Sequence, residues 1–488
     1  MKKAPVFLAL LFSLLILPLH SACSCRAGVT HRTTYTIDCV LSDDYILTAK
    51  QTVDFFNDTE NSINELKFNL FGNAFRKGAV YSPISAQYIS NAYPNGVNYG
   101  EMIVEKVYSS TADLPFSICG QDENILSVQL PGEVFPDERY TLTIEYTLKL
   151  ADIIARTGYN KDTINLADFY PILCAYDQAN GFYECLYYSC GDPFYSQVAD
   201  YRVSLTVGSK FVVASAGELV KAKTDGDVQT LDYKLENARS FSMVLSENFE
   251  CVTDTSTGVR INYYYYNDDK PKDSLDYAVK SMNYFNQTFG EYPYKTYNVV
   301  QTKFVQGGME YPTLVMISDD LESRSFGEVI VHETAHQWWQ TTVGNNQIEY
   351  GFLDEGLAEY SVVLFYENHP EYSMTRESMV KSAENTYKVF CSVYDKLFGT
   401  VDTTMLRSLG EYTSEYEYVN IAYVKSCIMY DYLRLSVGDD LFFKGLKRYY
   451  GDCKFKIATP SDLVGAYERV GASANGFFQS FFDGKVII

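Results

Sequence analysis

The stretch Gly327-Glu328-Val329-Ile330-Val331-His332-Glu333-Thr334-Ala335-His336-Gln337-Trp338-Trp339 decides the reading of this chain. It places the spacing H-E-x-x-H inside an apolar run long enough to be a helix. Residues four apart share one helix face, so His332 and His336 point the same way and can grip one metal ion. Glu333 is placed to reach a water bound to that metal. A histidine on an apolar helix face is ordinarily a satisfied core residue. With only five histidines in the chain, however, this spacing arises by chance on the order of a few times in a thousand.

The pattern continues downstream. Eighteen residues separate His336 from Glu355, which lies in Phe352-Leu353-Asp354-Glu355-Gly356-Leu357-Ala358-Glu359-Tyr360. Asp354 is predicted as the N-cap of a second helix that stops at Pro370. A carboxylate near the start of that helix is a third ligand. Two imidazoles and one carboxylate leave the fourth tetrahedral position open, the arrangement of a catalytic rather than a structural zinc. Glu359, one turn after Glu355, is a candidate for orienting one of the zinc histidines.

The whole chain bounds the alternatives. At 488 residues its length suggests about three domains. Hydrophobic residues make up 47%, ample for large cores and contrary to disorder. The formal charge of −22 repels phosphate backbones and disfavours nucleic-acid binding. Lys2 and Lys3 precede an apolar run from Ala4 to Leu19, the pattern of a secretion signal over residues 1–22. The following Ser21-Ala22-Cys23 is similar to a bacterial lipoprotein cleavage site, except that Leu19 stands four residues before Cys23 rather than three. The expectation is a protein secreted from, or anchored by lipid on Cys23 to, the outer face of a bacterial cell membrane; membrane contact is expected only through that lipid. Of eleven cysteines, none forms a C-x-x-C pair, so a structural zinc site is not indicated. Cys174, Cys185 and Cys190 are close enough in sequence to include a disulfide.

From Thr30 to about Phe249 the chain is strand-like, with runs such as Tyr140–Leu148 and Tyr201–Val207 alternating at period two. These predict half-buried antiparallel strands in a β-sandwich or saddle. A polar break at Val252–Gly258 suggests a domain boundary. Beyond it, Val259–Tyr266 reads as a strand, Asp273–Phe289 as a helix and Tyr297–Val305 as a strand. Gly307-Gly308 then turns the chain into an extended apolar run from Met309 to Ile317. From Glu355 onward the pattern is helical, broken at Pro370, Gly399, Gly410, Gly438 and Gly451. The predicted fold is therefore multidomain α+β, with a small mixed sheet, a helical lobe and the metal helix at their junction, where a cleft is expected.

These residues resemble the aminopeptidase N-like gluzincin family, which also contains leukotriene hydrolase. His332-Glu333-x-x-His336 with Glu355 is its zinc signature. Gly307-Gly308-Met309-Glu310-Tyr311 stands where the family has G-x-M-E-N, and Ala422-Tyr423-Val424-Lys425 resembles its Y-x-K-G segment. Gly191-Asp192-Pro193-Phe194 is loosely similar to its D-x-P segment. The resemblance implies a β-saddle over 23–252 and a thermolysin-like zinc peptidase domain over 253–488. It further implies one zinc ion on His332, His336 and Glu355, Glu333 as catalytic base, and Tyr423 as the oxyanion donor. Gly308, Met309 and Glu310 would bind substrate, with Glu310 on the free α-amine of a peptide. Tyr416, Tyr418 and Tyr430 compete with Tyr423 for its place. Tyr311 replaces the motif's asparagine, Ser426 replaces its glycine after Lys425, and Gln178 and Glu184 are the candidates for a glutamine the family supplies from its N-terminal domain. The implied activity is zinc-dependent hydrolysis of N-terminal peptide bonds. The alternatives are a zinc endopeptidase with an open cleft on the same scaffold and a non-catalytic surface-binding lipoprotein.

Overall fold

The computed structural model describes residues 31–486, so the leader and Cys23 lie outside the described residues. Arg32–Ile488 forms one compact unit. Its N-terminal half is built on a seven-stranded sheet. Thr34–Leu41 buries every second residue, so one face carries the core and the other meets water. The sheet is not wholly antiparallel, as the alternation alone had suggested. Thr34–Leu41 pairs in parallel with Ala199–Gly208, Thr34 opposite Asp200. A parallel partner needs a long crossover; here the chain makes two four-stranded sheets before or after returning.

The C-terminal half opens with a five-stranded sheet, in the order Glu250–Asp254, Arg260–Tyr265, Thr296–Thr302, Leu314–Ser318, Gly308–Tyr311. The polar break at Val252–Gly258 is the turn of a hairpin inside this sheet, closed by Gly258 at φ 84°. The three inner strands run parallel, and the helix Pro271–Thr288 makes one crossover. The run Met309–Ile317 is not one strand. Pro312 lacks a backbone N–H and Thr313 sits at φ 63°, so the chain reverses into a hairpin that leaves Gly308–Tyr311 at the sheet edge. That turn is fixed from two sides. The Gly217 N–H donates to Thr313 Oγ1 at 2.7 Å, and the Thr313 N–H donates to Gln337 Oε1 at 2.9 Å.

The metal-motif helix spans Ser323–Ala335, with His336 as its C-cap. It is shorter than the apolar run: Gln337 and Trp338 donate to carbonyls three residues back, a tightening that ends the helix. His336 N–H still donates to the His332 carbonyl at 3.2 Å, so the i,i+4 relation survives. The second helix spans Phe352–Glu367 behind an N-cap at Gly351. Asp354 is not the N-cap, because a short helix at Gln347–Tyr350, capped by the Asn346 side chain, already carries the chain into it. Further helices at Arg376–Phe398, Ser426–Val437 and Asp439–Cys453 complete the lobe. Gly399 and Gly438 do end helices at φ 86° and 80°, but Gly451 lies inside one. The Arg239 guanidinium stitches the halves, donating to the carbonyls of Gln340 and Lys456. The nine cysteines among the described residues are all free, so the suggested disulfide among Cys174, Cys185 and Cys190 is not formed.

Candidate metal centre

The geometry of the motif can be built from its two helices. His332 Nε2 and His336 Nε2 are 3.0 Å apart. Glu355 Oε2 is 3.3 Å from the first and 3.2 Å from the second. Three donors bonded to one tetrahedral zinc at about 2.0–2.1 Å stand roughly 3.3 Å from one another, so the observed triangle fits that ion. The far side of each ring is also committed. His336 Nδ1 faces the Trp339 carbonyl at 2.9 Å; a carbonyl only accepts, so Nδ1 carries the hydrogen and Nε2 presents its lone pair. His332 Nδ1 lies 3.2 Å from Glu359 Oε1, the orienting contact suggested by the spacing. A second cluster, Glu310, His336 and Asp354, also brings ligand atoms together. It shares His336, and both of its carboxylates accept from Gln347 Nε2, at 3.0 and 2.8 Å, so it fits an ion less well.

Electrostatics agrees with a cation here. Burial works against ionising Glu355, but His336 and His332 outweigh it and hold the carboxyl below its usual range. Burial also opposes charge on His332, yet Glu355 and Glu359 raise it. Around the site Glu310, Glu333, Asp354 and Glu355 are all buried, a density of carboxylates that is stable only beside positive charge. Burial pushes the Glu333 carboxyl up, against the pull of both imidazoles. Glu333 Oε2 has no hydrogen-bond partner, and Glu333 Oε1 lies against Gly308, where a Cβ would come within 2.3 Å. Glycine at 308 is thus required by the close approach of the acid.

These residues line a cavity of about 400 Å³ together with Gly308, Glu310, Tyr418 and Tyr423. A larger groove of about 670 Å³ beside Asp268 and Asp319 holds no histidine. Alternation on the edge strand turns Gly308 and Glu310 to the cavity and Met309 away, its Sδ accepting from Arg156 Nε at 3.2 Å. Met309 therefore offers the site only its backbone. Tyr423 sits on a π-helical segment, Val419–Lys425, a backbone form concentrated at functional sites. Its ring stacks on His332 at 6.1 Å and 7°. Tyr416 packs instead on Phe390 and Tyr394, and Tyr430 is buried against Tyr360, so only Tyr418 remains beside Tyr423. Lys425 is structural: buried, it donates to the carbonyls of Thr403 and Phe481. Ser426 is accommodated because a Cβ added to the facing Gly356 would lie 2.3 Å from Ser426 Cβ.

Gln178 and Glu184 do not reach the cavity. Gln178 accepts from the Glu60 N–H and Glu184 pairs with Lys67, both on an exposed surface where strands of the N-terminal half meet. What that half does supply is Arg156 and Asp192, ion-paired and lining the cavity, with Asp168 nearby. Sequence reasoning had noted Gly191-Asp192-Pro193 without giving it a role, and had no signal for Arg156 or Gln347.

Residues 273–483 match the model of the Peptidase family M1 domain. Among curated proteins, Aminopeptidase M1-D of Oryza sativa subsp. japonica is 24% identical over 293 residues, 56% of this chain and 32% of that protein. Aminopeptidase N of Plutella xylostella is 27% identical over 219 residues, 40% of this chain and 22% of that protein. The chain thus matches a third or less of the length of these relatives. An M1 zinc metallopeptidase from Deinococcus radiodurans superposes with a TM-score of 0.66 at 16% identity, covering 93% of this chain and 94% of that one; this likeness extends the shared fold through the N-terminal half. With the M1 domain model, the aminopeptidase relatives and the shared two-domain fold all in agreement, the chain belongs to the aminopeptidase N-like gluzincin family.

Proposed function

We propose that this chain is a zinc-dependent aminopeptidase that hydrolyses the first peptide bond of substrates with a free N-terminus. The observation that supports it best is the donor triangle of His332, His336 and Glu355 with Glu333 beside it and Glu310 at the closed end of the same cavity. A zinc ion held by those three residues would supply a Lewis acid and lower the pKa of a coordinated water towards about 7. Glu333 takes the proton of the attacking water and hands it to the departing amine. The Tyr423 hydroxyl donates to the oxyanion as it develops. Glu310 receives the α-ammonium, so the scissile bond is the one after the first residue. Gly308–Tyr311, at the sheet edge, offers backbone groups to an extended peptide.

Glu310 also decides between this reading and an endopeptidase. Matched peptides with free and N-acetylated termini are the test. Cleavage of the free peptide after residue one, with the acetylated peptide resistant, is the expected result; equal cleavage of both would make the chain an endopeptidase. The same proposal places the protein outside the cytoplasmic membrane, through the leader at 1–22 and lipid on Cys23. It rests on sequence alone. Among the described residues no helix is long and apolar enough to cross a membrane.

A further inference from the structure

The closed end of the cavity is short of positive charge. Asp192 is 5% exposed and Glu310 3%, and Asp168, also buried, acts electrostatically on the same groups. Arg156 is the one guanidinium among these three carboxylates. Its Nη2 donates to Asp192 Oδ1 and to the Gly191 carbonyl, and its Nε is taken by Met309 Sδ. On Glu310, Oε1 accepts from Gln347. That leaves one oxygen on each acid, Asp192 Oδ2 and Glu310 Oε2, that accepts no hydrogen bond from the protein and is not sealed from solvent. Both residues border the same cavity. A buried carboxylate without a full set of donors is unfavourable, and an ammonium brings three N–H donors and the missing charge.

We propose that Asp192, supplied by the N-terminal half, binds the substrate's α-ammonium together with Glu310, and that Arg156 holds its carboxylate in place. The proposal rests on the aminopeptidase reading above. It assigns to Asp192 the contribution that Gln178 and Glu184 are too remote to make. The competing explanation is that Asp192 serves only to neutralise Arg156. The two are separated by comparing Asp192→Asn with the double variant Asp192→Asn/Arg156→Met, which removes both charges and strands neither. If Asp192 touches the ammonium, KM for free-N-terminus peptides rises about 10- to 100-fold in both variants, the range for a lost charge-assisted hydrogen bond. In that case kcat changes far less and the double variant regains wild-type thermal stability. Wild-type KM in the double variant would overturn the proposal while leaving the aminopeptidase reading intact. Wild-type enzyme, zinc-loaded, that cleaves no free-N-terminus peptide would overturn both. A structure of the wild-type protein with an amino-acid amide gives a check that needs no variant. The ammonium nitrogen is expected within hydrogen-bond reach of both Asp192 and Glu310, and contact with Glu310 alone would refute the assignment.

Discussion

Glu333→Gln is expected to keep the zinc, the fold and KM while lowering kcat by on the order of 10²–10⁴, the range for loss of a positioned general base. The structure makes this a clean substitution. Glutamine has the same shape, so it fits the space against Gly308 that a bulkier residue would not. Glu333 makes no hydrogen bond through Oε2 that the fold relies on, and the zinc donors are other side chains. What is removed is the ability to accept a proton. Because that ability matters only on the way to the transition state, kcat and kcat/KM should fall together. Steady-state kinetics beside a metal assay reads both quantities; a variant with full turnover would remove Glu333 from the mechanism.

The second large effect is expected at Tyr423. Tyr423→Phe deletes one hydroxyl and leaves the ring, which keeps its stacking on His332 and its edge contact with Tyr418 at 5.7 Å. Packing and zinc binding should therefore be preserved. Loss of one oxyanion donor costs about 10²–10³ in kcat, with little change in KM because the ground-state carbonyl carries less charge than the oxyanion. Tyr418→Phe is the internal control, since Tyr418 also lines the cavity. A large kcat loss at Tyr418 with Tyr423→Phe unimpaired would mean that the alignment of Ala422-Tyr423-Val424-Lys425 to the Y-x-K-G segment is out of register.

How far the site could be read from the chain depended on the range of the contacts that make it. His332 and His336 are one helical turn apart, so their convergence follows from local geometry. Glu355 joins them across a short connection. The edge strand Gly308–Tyr311 was legible as an extended run, but its reversal at Thr313 was not, because a β-branched residue at φ 63° is held there by Gly217 and Gln337. Neither contact leaves a trace in the local sequence. Arg156 and Asp192 reach the cavity from the N-terminal half, and the parallel pairing of Thr34–Leu41 with Ala199–Gly208 joins strands far apart in sequence. Periodicity reports which face a strand buries, not which partner it finds. The π-helical segment under Tyr423 was equally hidden, since its sequence is compatible with an ordinary helix. The departures from the family pattern have local explanations instead: Ser426 is matched by Gly356 on the facing helix.

The central claim is that His332, His336 and Glu355 hold a single zinc ion. Anomalous diffraction above and below the zinc absorption edge, on crystals of protein purified without added chelator, tests it directly. The account predicts one peak at tetrahedral bonding distance, about 2.0–2.2 Å, from His332 Nε2, His336 Nε2 and a Glu355 carboxylate oxygen. No peak in zinc-supplemented crystals, or a peak elsewhere with those side chains unligated, would contradict it.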